Sequence, residues 1–233
     1  MKEDAEQGHA SARGALSRPG AQARGIPRNA YMKLYYLPGA CPLATQIVLE
    51  WTATPYELQA VSRSEIKEPA YLALNPLGSV PVLVDGDFVL TQSAATLEYV
   101  ADLHPKAGLV GDTPRQRAET HRWLGFCNSD LHRTFSLVFG PAAYADSDAG
   151  QKELAEKASA RVVFLFSVVD KQLAGRDWLT GLRSIADPYL YTITRWAKAK
   201  KLDIGGLANL QAHYDRLHAD AGVQAALKKQ GLE

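Results

Sequence analysis

Apolar positions along this chain follow two rhythms, and the change between them divides it. From Met32 onward they come in short β-rich bursts separated by turn residues. Lys33-Leu-Tyr-Tyr-Leu37 predicts a short buried strand closed by Pro38-Gly39. Pro42 to Trp51 predicts a helix with Leu43, Ile47 and Leu49 near one face, and Tyr56 to Val61 a second strand. Residues 62–74 turn from charged to apolar at Tyr71, Leu72 and Leu74, an irregular segment with a short helix. A strand follows from Val82, the turn Asp85-Gly86-Asp87, a returning strand Phe88 to Leu90, and a helix Ser93 to Leu103. Strand, helix, strand, helix, strand, strand, helix is the thioredoxin-like order. Beyond a linker at Leu103 to Thr113 the rhythm becomes helical only. Helices are expected over 114–138, 151–174, 185–200 and 206–219, with a short one near 223–229.

The expected fold class is therefore α/β plus all-α: a leader over 1–31, a thioredoxin-like domain over 32–106 and an all-helical domain over 114–233. The leader is rich in Ala, Gly, Arg and Gln and lacks the apolar centre of a secretory signal, so it reads as a disordered extension or an upstream start. A transit peptide would explain its arginines but not Glu3, Asp4 and Glu6.

Composition narrows the function. Of 233 residues 46% are apolar and 22% charged, and the formal net charge is +1. Nothing in that balance calls for nucleic acid or a membrane surface as partner. Two cysteines, Cys41 and Cys127, form no CxxC pair and no zinc-ligand spacing, so no metal is expected. They favour a reducing, cytoplasmic setting over a disulfide framework.

Four places could carry chemistry. Cys41-Pro42 stands between a strand and a helix, with proline at the first helical position. A sulfur there can accept helical N–H bonds and meets the positive helix end, so a lowered thiol pKa is expected. Ala44 stands where a dithiol protein would carry a second cysteine, so the chemistry is monothiol. Val80-Pro81 precedes the third strand, where a cis proline would turn the Val80 backbone toward a bound peptide. At Gln92-Ser93, Ser93 can cap a helix whose free N–H groups attract a carboxylate, and Gln92 offers a donor and an acceptor. His121, Gly125, Asn128 and His132 recur at steps of four, three and four, which places them on one helix face. Each has a plainer reading: a buried cysteine, a trans turn, a simple cap, a solvated stripe. Cys127 reads as core, and Ser184-Ile-Ala-Asp187 as a capping box that starts a buried helix.

Together these segments resemble a glutathione transferase of the bacterial beta class. The resemblance lies in Met32-Lys-Leu-Tyr-Tyr-Leu-Pro-Gly-Ala-Cys41, Asn75-Pro-Leu-Gly-Ser-Val-Pro-Val-Leu83, Leu90-Thr-Gln-Ser-Ala-Ala-Thr-Leu97, Asp130-Leu-His-Arg133 and Ser184-Ile-Ala-Asp-Pro-Tyr-Leu190. It implies a homodimer that takes glutathione as co-substrate and transfers it to a small hydrophobic electrophile. It also implies Cys41 and His132 near the sulfur, the Val80 backbone on the cysteinyl part, and Gln92 and Ser93 on the γ-glutamyl end. Arg133 would border the site, and Asp130 would reach the glutathione of the other subunit. The electrophile would lie against Phe126, Phe135 and Trp196. The chain departs from the pattern at Pro42 (usually serine), Gln92 (commonly glutamate) and Gly125 (often asparagine), and Lys67 is the candidate for the glycyl end. Two alternatives follow: disulfide exchange through Cys41, or a non-catalytic binding protein on the same fold.

Overall fold

The computed structural model describes residues 32–232, so the expectation for Met1–Tyr31 lies outside the described residues. Strands β1 (Met32–Tyr36), β2 (Tyr56–Ala60), β3 (Val82–Asp85) and β4 (Phe88–Thr91) form one sheet in the order β2-β1-β3-β4. β1 runs parallel to β2 and antiparallel to β3, and β3 pairs antiparallel with β4 across the Asp85-Gly86-Asp87 turn. Helix α1 (Pro42–Trp51) makes the crossover between β1 and β2. After a short 3₁₀ turn at Glu65–Lys67 comes α2 (Pro69–Leu72), and α3 (Ser93–Leu103) follows β4. This is the thioredoxin-like arrangement expected from the sequence.

The remaining elements are helical: α4 (Pro114–Gly125), a π-helical stretch Phe126–His132, α5 (Arg133–Phe139), α6 (Asp148–Leu173), α7 (Ala186–Ala199), α8 (Ala208–His218) and α9 (Ala221–Gln230). The expected helix over 114–138 is thus one rod with a widened middle. Among the described residues no helix is long and apolar enough to cross a membrane.

Helix α1 explains how the two halves become one body. Eight consecutive residues, Pro42 to Leu49, are buried, because the helix packs on α3 on one side and on α7 and α9 on the other. Its polar side chains must therefore find partners inside. Thr45 Oγ1 meets Thr96 Oγ1 of α3 at 2.8 Å, and Gln230 Nε2 of α9 donates to Gln46 Oε1 at 2.6 Å. Trp51 Nε1 donates to Asp220 Oδ1 at 2.7 Å, the same oxygen that caps α9 through Gly222 and Val223. Burial of Leu43, Ile47, Tyr191, Leu217, Val223 and Leu227 in a shared cluster adds the apolar component of the same junction.

The Ser184–Asp187 expectation is revised: α7 begins at Ala186 with Ile185 at its cap position, which makes no side-chain cap bond, and only the Asp187 half of the box is formed. The Asp187 carboxylate accepts from Ser184 N–H (2.8 Å) and Ser184 Oγ (2.9 Å), and also from Leu179 N–H (2.9 Å) and His213 Nε2 (3.0 Å). Asp187 and His213 are both buried, so this is the internal knot that starts α7 and fixes α8 against it.

Candidate functional site

Along one cavity of about 330 Å³ the sheet half contributes Cys41, Ser79, Val80, Pro81, Gln92 and Ser93. The opposite wall is Asn128, His132, Arg133 and Ser136 from the π stretch and α5. Six of the seven sequence-predicted site residues are brought together there. Asp130 is the exception: it is half-buried on the same π stretch but outside the cavity wall.

Local sequence places each of these side chains. The chain turns out of β1 at Gly39, whose φ of +72° favours glycine, and delivers Cys41 at the start of α1 with Pro42 as first helical residue. Two distant helices hold that turn: Gln230 Oε1 accepts the Gly39 N–H at 2.9 Å, and Trp196 Nε1 donates to the Gly39 carbonyl at 2.8 Å. Val80-Pro81 is cis, as the thioredoxin-like order predicts. Gln92, at φ +75°, ends β4 and leaves its side chain exposed, while Ser93 behind it is buried. Ser93 is the first residue of α3 rather than its cap, and Gln92, at the cap position, makes no side-chain cap bond. The amides of that helix start are thus not blocked by a side-chain cap, as an anion site requires.

Cys41 does not behave as expected. It accepts no helix N–H, and its thiol instead donates to the Val80 carbonyl at 3.4 Å. Burial pushes the thiol up to about 11, and hydrogen bonds from Ser93 and the cysteine's own backbone do not offset it. The helix end favours the thiolate, but less than desolvation disfavours it in a residue only 6% exposed. At neutral pH Cys41 is a thiol and acts as a donor. Cys127 is buried deeper, its thiol is likewise pushed up, and it packs as core.

The polar stripe is also revised. The π stretch widens the turn with i→i+5 bonding, so the steps of four, three and four do not keep one face. His121 stays on the exposed side, 3.7 Å from Glu98. Asn128 and His132 line the cavity, and Tyr189 of α7, fully buried, backs them. His132 Nδ1 lies 2.6 Å from the Tyr189 hydroxyl, which donates to Asn128 Oδ1 at 3.1 Å. Burial pushes His132 down to about 4, so the ring is neutral at pH 7. Sequence reasoning missed Tyr189, although it lies in the quoted Ser184–Leu190 segment; only its place one turn beyond the apolar Ile185 hinted that it faces inward.

The apolar wall differs as well. Phe135 is fully buried between Phe166 and Trp196 and offers no surface to a ligand. Trp196 packs tilted against His132 with ring centres 4.9 Å apart, and Phe139, left half-exposed, stands next to it at 5.6 Å. Lys67 donates to the Gly78 carbonyl at 3.2 Å and does not line the cavity. No group of three or more metal-ligating side chains occurs among the described residues.

A thioredoxin-like sheet with one thiol at its first helix, a cis proline beside it and a histidine supplied by an appended helical half is the arrangement that the resemblance to a transferase implies. The family comparisons agree. Residues 30–102 match the glutathione S-transferase N-terminal domain and residues 126–220 the glutathione S-transferase C-terminal domain. A glutathione S-transferase of Xanthomonas campestris is 48% identical over 203 residues, covering 86% of this chain and all of that protein. The solved glutathione S-transferase of Xylella fastidiosa is 43% identical, with a TM-score of 0.84 over 87% of this chain and all of that one. A bacterial beta class enzyme of Sphingomonas chungbukensis is 33% identical, with a TM-score of 0.76 over 86% of this chain and all of that one. The chain belongs to the glutathione S-transferase family.

Proposed function

We propose that the Cys41 cavity binds glutathione and that the protein transfers the glutathione thiolate to small electrophilic carbons. The supporting observation is convergence: a thiol donor, the Val80 carbonyl, the start of α3 and a neutral histidine all face one 330 Å³ cavity. The cysteinyl backbone of the peptide pairs with Val80. Its N–H takes over the carbonyl that the Cys41 thiol now uses, and the Cys41 S–H turns to the incoming sulfur. The γ-glutamyl carboxylate sits on the amides at Ser93, with Gln92 beside the amine, and Arg133 borders the peptide. His132 completes the sulfur site. With Nδ1 on the Tyr189 hydroxyl, its Nε2 is left for the substrate. Burial disfavours an imidazolium there, but a thiolate alongside is the counter-charge that offsets that cost. The sulfur proton thus leaves most readily with substrate in place.

Disulfide exchange through Cys41 is the second reading, because the thiol faces the peptide site. A protonated, buried thiol is a slow nucleophile at pH 7, which ranks exchange behind conjugation. A homodimer fits the edge strand β4, which keeps Phe88 and Val89 exposed, and Asp130 then serves the neighbouring subunit's peptide. Two unpaired cysteines fit a cytoplasmic setting.

Calorimetric titration with glutathione, alongside a spectrophotometric assay with 1-chloro-2,4-dinitrobenzene, tests the reading. Saturable binding with turnover is expected. Binding without turnover across several electrophiles points to a non-catalytic protein, and absence of binding removes the site assignment.

A further inference from the structure

The wall that carries His132 does not end at the cavity. His132, Ser136 and Phe139 succeed one another at steps of four and three, one face of α5 running outward from the sulfur site. Phe139 is 47% exposed, backed by Phe135 at 5.4 Å and by Trp196 at 5.6 Å. Tyr144 is 48% exposed, and its hydroxyl is held by Arg133 Nη1 at 2.8 Å. Two partly exposed aromatic rings thus continue the wall that carries His132, Phe139 packed on other rings and Tyr144 held through its hydroxyl. Cations flank both: Lys200 Nζ lies 5.2 Å from the centre of the Phe139 ring, and the Arg133 guanidinium 5.5 Å from that of Tyr144. Among the described residues neither Lys200 nor Arg133 forms an ion pair. A half-exposed aromatic surface with unneutralised positive charge over its rings is complementary to a flat ring carrying a negative substituent.

We infer that this wall selects aromatic electrophiles bearing an acidic group, with Lys200 as the residue that reads the charge. The inference rests on the glutathione reading above. The reaction is substitution at an activated ring carbon: the thiolate sulfur forms the C–S bond, the halide leaves with the electron pair of the broken bond, and the thiol proton passes to solvent. The carboxylate takes no part in bond making, so charge recognition acts on binding of the ring and of the transition state alike. Neutral electrophiles gain the aromatic contact without the ionic one.

The test compares 4-chloro-3-nitrobenzoate with 4-chloro-3-nitrobenzamide, each rate divided by its uncatalysed reaction with glutathione. The native protein should favour the acid. Lys200→Gln should cut kcat/KM for the acid about three- to fivefold and leave the amide unchanged, the range of a partly screened ion pair. Lys200→Glu should reverse the preference, and added salt should erode it in the native protein only. Lys200 is exposed at the C-cap position of α7, so both variants should fold, which circular dichroism verifies. Turnover of both compounds with equal acceleration overturns the charge assignment and leaves the transferase reading intact. So does an equal loss for both in Lys200→Gln with a raised KM for glutathione, which would assign the charge to the peptide. No turnover of either compound while 1-chloro-2,4-dinitrobenzene is still turned over overturns the inference; no turnover of any of the three overturns the transferase reading on which it rests.

Discussion

Two of the helix starts that carry an ionisable side chain, those of α7 and α1, come out oppositely. At α7 the Asp187 carboxylate collects four hydrogen bonds from three segments and is fully buried. At α1 Cys41 collects none from its helix and gives its own proton to Val80. The local rule is the same at both ends: free N–H groups favour negative charge. What separates them is the number of donors that the rest of the fold supplies. Leu179, Ser184 and His213 offset the burial of Asp187. Cys41 lacks such a set, and desolvation keeps it protonated. A knot of this kind holds structure, whereas a cysteine left one partner short can change partners when a substrate arrives.

The largest expected effect tests that contrast. Asp187→Ala strands buried donors from three segments and should cost about 3–5 kcal/mol, the range for breaking a buried pair. Cys41→Ala removes one sulfur from a packed site and should cost only about 1 kcal/mol. Urea unfolding of both variants decides it. Equal losses would mean that the start of α1 is as much a structural knot as the start of α7.

Next comes the link between the halves at the sulfur site. Tyr189→Phe keeps the ring but leaves His132 Nδ1 and Asn128 Oδ1 without their shared partner, a change worth roughly 1–3 kcal/mol. Tyr189 positions His132 rather than touching the substrate. Its loss should lower kcat for conjugation about tenfold at little change in the KM for glutathione, and should shift the acid limb of the pH profile. A variant with only reduced stability and an unmoved profile would assign Tyr189 to packing alone.

The titration of His132 gives a third, smaller test. Its folded value, near 4, lies below the ordinary 6.5, so the unfolded chain binds the extra proton first. Stability should therefore be complete above pH 6.5 and decline as the pH falls toward 4. His132→Gln should flatten that part of the curve, measured as the difference in urea midpoints between pH 7 and pH 5. Cys41 gives the companion measurement: alkylation by iodoacetamide should be slow at pH 7 and accelerate toward pH 11. Rapid modification at neutral pH would restore the thiolate and raise the standing of disulfide exchange.

Much of this arrangement was legible from residues alone, for definite reasons. Pro42–Trp51 and Ser93–Leu103 were predicted with the bounds the structure shows, since a proline opens the first and a strand end precedes the second. Ser147, whose hydroxyl accepts from Gly150 N–H, was overlooked as the start of α6, because Asp148-Ala-Gly reads as loop. The capping box of Thr113 and Gln116 was equally readable and passed over. Other features were beyond any local pattern. A π stretch has no periodic signature in seven residues, so the face shared by His121 and His132 could not be corrected in advance. The protonation of Cys41 depends on burial by elements far along the chain. Val80, Ser93 and His132 were placed by resemblance, and only the fold brings them to one cavity.

The smallest predicted effect concerns the turn that aims Cys41. Gly39 is gripped at both ends of its residue, by Gln230 from α9 at its N–H and by Trp196 from α7 at its carbonyl. Neither residue touches the cavity, and Gln230 is 191 positions away in sequence. Gln230→Ala leaves both the Gly39 N–H and Gln46 Oε1 unpartnered, while Trp196→Phe keeps an aromatic ring and loses only one donor. Each should cost about 1 kcal/mol in stability. Because both bonds hold one residue, their losses should not add. Once one grip is gone, the turn moves with its other partner, and removing the second releases little more. The double variant, compared with each single one for the KM of glutathione, reads this directly. A strictly additive result would mean that α7 and α9 hold the site separately, with the Gly39 turn rigid on its own.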